Sequence, residues 1–117
     1  MKRLTPWYGM ALLAVTGCAP LAPVPTATQL LIAQRGGWPT ATMTDLERGR
    51  ISYLERCAGC HAPYRPERFP SEMWPRLVAD MRRNANLYNP EDETDIVRYL
   101  VSTAEDARTA PDEEKIR

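Results

Sequence analysis

In the second half of this 117-residue chain apolar side chains recur at the period of a helix, and no segment alternates as a half-buried strand would. Leu46, Gly49, Tyr53 and Cys57 follow one another at steps of three, four and four, which puts them on one helical face. Thr44-Asp45-Leu46-Glu47 has the capping-box pattern, in which threonine and glutamate each satisfy the other's backbone amide, so the helix is expected to begin at Thr44. A second helix is expected from Ser71 to about Arg83, with Ser71 as cap and Pro75 in the first turn, where a missing amide costs little. Its stripe is Trp74, Leu77, Val78 and Met81. The third has the strongest start, with Asn89 as cap, Pro90 behind it, and Glu91, Asp92 and Glu93 against the positive end of the helix dipole. Ile96, Val97, Tyr99, Leu100 and Ala104 supply its buried side. The chain is therefore expected to be all-α.

The remaining segments are of other kinds. Residues 1–17 combine Lys2 and Arg3 with an apolar stretch from Trp7 to Val15, the pattern of an export signal. That stretch is too short for a bilayer core, which takes about 20 apolar residues. Val15-Thr16-Gly17-Cys18 resembles the lipobox of bacterial lipoproteins, which implies lipid attachment at Cys18 and a place on the periplasmic side of a membrane. Residues 18–43 hold Pro20, Pro23, Pro25 and Pro39 and read as a proline-rich tether, with one helical turn at Gln29 to Ala33. The domain is expected at 44–107, and 108–117, charged and broken by proline, as a disordered tail. The 15 basic and 15 acidic residues balance, so nothing in the bulk charge points to nucleic acid.

Cys57-Ala58-Gly59-Cys60-His61 is the attachment pattern of a c-type haem. Positions i, i+3 and i+4 share a helical face, so two sulfurs can meet the two vinyl groups on one haem edge while His61 turns beneath the iron. Two rival readings are weaker. A Cys-x-x-Cys redox pair sits at a helix N-terminus, where its thiol pKa is lowered, whereas this pair follows a helix. A structural zinc site wants four ligands, and the chain has one histidine and three cysteines. With Cys18 on lipid and Cys57 and Cys60 on one covalent haem, no thiol is left over.

With the glycine eight and the aromatic four residues before the first cysteine, Gly49 and Tyr53, and an aromatic in the last helix, Tyr99, the chain resembles the small class I cytochromes c. The resemblance implies a cytochrome c fold of three main helices around one haem, the first and last crossing closely at the glycine. It implies one-electron transfer, by a carrier or the cytochrome subunit of a dehydrogenase or reductase complex, not an enzyme in its own right. It also implies a proline carbonyl that accepts from the other ring nitrogen of His61; Pro70 fits by position, with Pro63 and Pro66 as competitors.

The sixth ligand departs from that family, because one helix alone separates the motif from the last helix. Met81, on the stripe of Trp74, is favoured as distal ligand; Met73 is the alternative, with Met43, Asn84, Asn86 or an open site behind them. An open or weakly ligated site would suit a small-gas sensor or small haem enzyme instead. Trp74 and Arg65 are candidate contacts to the haem propionates, packing on the porphyrin being the plainer role for Trp74. The basic run of Arg65, Arg68, Arg76, Arg82 and Arg83 would suit an acidic redox partner or, more plainly, a solvated face.

Overall fold

The computed structural model describes residues 21–59 and 61–111; Cys18 and Cys60 lie outside them. Four α-helices are present, α1 (Ala27–Arg35), α2 (Met43–Cys57), α3 (Trp74–Met81) and α4 (Pro90–Thr109), with 3-10 turns at Pro66–Arg68 and Ser71–Met73 and no strand among the described residues. The fold is all-α, as a cytochrome c domain requires. None of the helices is long and apolar enough to cross a membrane.

Helix α4 is the central element and packs against α1, α2, α3 and both 3-10 turns. Its start follows the sequence pattern: the Asn89 side chain accepts from the Glu91 amide at 3.0 Å, and Pro90 opens the first turn. Ile96, Tyr99 and Leu100 are fully buried on its inner side. Gly49 is where α2 crosses α4. A Cβ built there would lie 2.0 Å from the Asp95 carbonyl oxygen and 2.9 Å from Tyr99 Cβ, so only glycine admits this approach. Beside the crossing, Arg48 Nε donates to Asp95 at 2.9 Å, and Arg98 reaches both Asp95 and Asp45.

Three boundaries differ from the sequence pattern. Helix α2 starts two residues early because the overlapping pair Thr42 and Asp45 forms the capping box, with the Thr42 amide on Asp45 at 2.8 Å and the Asp45 amide on Thr42 Oγ1 at 3.2 Å. Ser71 caps nothing; it opens a 3-10 turn, and regular helix runs only from Trp74. Asn86, at φ 54°, takes the left-handed conformation in the turn after α3, which an asparagine tolerates better than most residues. Helix α4 also extends to Thr109, past the expected start of a tail at 108.

The largest difference lies in the expected tether at 18–43. Its residues 27–35 form α1, capped by Thr26 and Gln29, and the segment packs onto α4. Its prolines flank the helix and do not interrupt it. Ala22, Ala33 and Ala41 are buried, and Trp38 packs with Ala33, Ala41 and Leu46. Arg50 Nε donates to the Ala22 carbonyl at 2.8 Å, Tyr99 Oη to the Pro23 carbonyl at 2.7 Å, and Gln29 Nε2 to Asp106 at 3.2 Å. Among the described residues, packing onto the domain therefore reaches back to Ala22.

Candidate functional site

Helix α2 ends at Cys57, so the motif leaves a helix C-terminus. Cys57 is half-buried, and desolvation pushes its thiol up, the opposite of what thiol–disulfide exchange needs. Cys57 and His61 border a cavity of about 270 Å³ whose other walls include Tyr53, Trp74, Leu77, Val78, Met81 and Leu87. A second cavity of about 210 Å³ adjoins it and shares Cys57, His61 and Met81, with Arg56, Asn84 and Ala85 at its rim. Together they make an apolar slot beside a thiol and an imidazole.

One wall of the slot is a run of aromatic rings. Tyr64 meets Phe69 at 5.4 Å, Phe69 meets Trp74 at 5.4 Å, and Trp74 meets Tyr53 at 6.2 Å, each pair edge to face. The Tyr53 hydroxyl donates to the Tyr64 carbonyl, which ties the loop after the motif to α2. Burial raises the Tyr53 hydroxyl pKa, so it stays protonated and keeps donating. Tyr64 and Phe69 were not singled out from the sequence, because a loop has no period to reveal which of its aromatics point inward.

His61 is oriented from within the loop. Its Nδ1 lies 2.9 Å from the Ala62 carbonyl, and a carbonyl only accepts, so the contact holds the proton on Nδ1 and leaves the Nε2 lone pair for a metal. This corrects the expectation for Pro70. The Pro70 carbonyl accepts from the Met73 amide at 3.0 Å, and Pro70 lines a different groove, with Ala104 and Ala107. Pro66 is committed as well, to Trp74.

The other site candidates separate. Met81 closes α3 and borders both cavities alongside His61. Met73, the alternative ligand, borders neither cavity; the two methionines are exposed to a similar degree, 43% and 38%. Of the two roles expected for Trp74 the arrangement favours packing: its indole Nε1 donates to the Pro66 carbonyl at 2.8 Å, and the buried ring packs on Tyr53 and Phe69. Arg65 stands 3.9 Å from Glu67 and borders neither cavity; the cation at the slot is Arg56, the residue directly before Cys57, which the sequence reading did not single out. Arg82 is taken up by Glu93 at 2.7 Å and so contributes less free charge than the sequence suggested.

A family model described as dihaem cytochrome c matches residues 53–117, more than half of the chain. The chain belongs to that family. It is a c-type cytochrome whose cofactor is haem c and whose general work is haem-based electron transfer. The matching family is the dihaem one, where the sequence suggested the monohaem class I proteins. The description names two haems, whereas Cys57–His61 is the only Cys-x-x-Cys-His in this cytochrome and His61 its only histidine. No curated protein and no solved structure matches the chain.

The residues present suit the group. A thiol, an imidazole with its Nε2 lone pair free, and a slot walled by aromatic and aliphatic side chains are what a covalently held porphyrin needs. Cys57 and Cys60 would hold it by thioether bonds, and His61 Nε2 would ligate the iron.

Proposed function

We propose that this chain is a one-haem electron carrier, tethered by lipid at Cys18 to the periplasmic side of a bacterial membrane, in which His61 and Met81 are the axial ligands. The observation that carries the reading is that Cys57, His61 and Met81 border one apolar slot. When bound, haem c supplies an iron that takes up and gives back one electron. The protein's own contribution is positional. The Ala62 carbonyl fixes the His61 ring, the aromatic wall excludes water, and a thioether at Met81 would favour the ferrous state and raise the potential. Arg56 is the cation placed to offset a propionate.

One attachment motif and one histidine in this sequence support one haem on it. The basic start, the apolar stretch and Val15-Thr16-Gly17-Cys18 support export and lipid attachment. The natural partners are redox proteins, as free-standing donor and acceptor or as the other subunits of an oxidoreductase.

The test is a reduced-minus-oxidised and pyridine haemochrome analysis of wild type and Met81→Ala, made in a host that attaches c-type haem. One haem per chain is expected, with the methionine-to-ferric-iron charge-transfer band lost only in the variant. Two haems per chain would overturn the stoichiometry. A band unchanged in the variant would remove Met81 as ligand, and rapid binding of carbon monoxide by ferrous wild type would favour the open-site reading.

A further inference from the structure

We propose that the face around Leu21 and Val24 rests against the bilayer, so that the cytochrome is held on the membrane in one orientation. This rests on lipid attachment at Cys18. Among the described residues the first docked point is Ala22, 2% exposed, with its carbonyl on Arg50 and the next carbonyl on Tyr99. Ala22 lies four positions after Cys18, a reach of at most about 14 Å when fully extended. The headgroup layer on each side of a bilayer is itself about 5–7 Å deep. A lipid on Cys18 therefore brings Ala22 to within a short distance of the hydrocarbon.

The surface at that point is suited to such a place. Leu21 is 41% and Val24 63% exposed on either side of the two pinned carbonyls, and Leu31 is half exposed on α1. No Asp, Glu, Lys or Arg occurs between Arg3 and Arg35, so no charge has to be desolvated as this segment meets the headgroups. Arg50 belongs to α2, which ends at Cys57, and Tyr99 to α4, which forms the core. The pins therefore transmit the orientation of the anchored segment to the haem slot. A flexible tether would instead let that slot face every direction.

The experiment uses lipidated holoprotein in vesicles of phosphatidylethanolamine and phosphatidylglycerol, spin-labelled at Val24→Cys, Leu21→Cys or, for comparison, Tyr88→Cys, which is 75% exposed and lies before α4. Lipid on Cys18 and haem on Cys57 and Cys60 leave the introduced thiol as the only one to label. Oxygen and a nickel chelate are then compared as relaxants, and intact mass reports the lipid. The labels at 21 and 24 should be relaxed several-fold more by oxygen relative to nickel than the label at 88. If the mass shows the lipid but positions 21 and 24 are as open to nickel as 88, the contact is overturned while the anchor stands. If the mass shows no lipid, the anchor reading falls and takes this one with it.

Discussion

Replacing Gly49 by alanine tests the helix crossing on which the site is built. The added Cβ would sit 2.0 Å from the Asp95 carbonyl oxygen and 2.6 Å from its carbon, where ordinary contact begins near 3.4 Å. Both are backbone atoms of α4, so no side-chain rotation relieves them, and α2 and α4 must separate by about 1.4 Å, the difference between the ordinary and the built distance. Overpacking of this kind costs about 1–3 kcal/mol, occasionally more. The separation also stretches the 2.9 Å bond from Arg48 on α2 to Asp95 on α4, a solvent-screened pair that adds little to the cost. Against this stands about 1 kcal/mol gained when alanine replaces glycine inside a helix. A backbone overlap this deep puts the overpacking at the upper end of that range, so the net loss should be about 2 kcal/mol, which in a domain of this size lowers Tm by roughly 8–16 °C. Thermal unfolding of the holoprotein, followed by far-ultraviolet circular dichroism and the Soret band, measures it. Ile51→Ala, half exposed on the same helix, should change little. A Gly49→Ala protein as stable as wild type, or more stable, would refute the close crossing.

Other perturbations reach different parts of the structure. Trp74→Phe removes the buried Nε1 donor and leaves the Pro66 carbonyl unpaired, so denaturant unfolding should show a loss of about 1–3 kcal/mol. The haem potential should barely move, whereas a propionate contact at Trp74 would shift it. Asn86→Ala places a Cβ-bearing residue without a helpful side chain at φ 54° and should cost about 1–2 kcal/mol in the same assay, with Asn86→Gly close to neutral. Arg82 holds the Glu93 carboxyl below its ordinary value of 4.5, and hydrogen bonds from Arg108 and Ser71 do the same for Glu105. A depressed folded-state pKa contributes stability that is present above the ordinary value and lost as pH falls through the folded one. Stability should therefore decline below about pH 4.5, and Glu93→Gln should flatten that decline; an unchanged slope in acid urea titrations would exclude the pair as a contributor.

What the sequence determined by itself was whatever a few consecutive residues decide. The haem attachment is written in five neighbouring letters because two thioethers and an axial imidazole must come from one turn of chain. The start of α4 was legible for the same reason, since Asn89, Pro90 and three acids act within the first turn. Gly49, Tyr53 and Tyr99 pointed to the crossing through the resemblance to the small class I cytochromes c, and the built Cβ at Gly49 gives the physical cause. The tertiary structure decided what depended on distant partners. Prolines at 20, 23, 25 and 39 suggested loose chain, yet they bracket a helix whose hold comes from residues as far along as Tyr99 and Asp106. Trp74 and Pro70 were assigned from position, but an indole donor and a proline carbonyl take the nearest partner that the folded loop presents, here Pro66 and Met73. Met81 and Met73 stand eight residues apart on one stretch of chain, and only the packing of α3 brings Met81, and not Met73, to the slot beside His61.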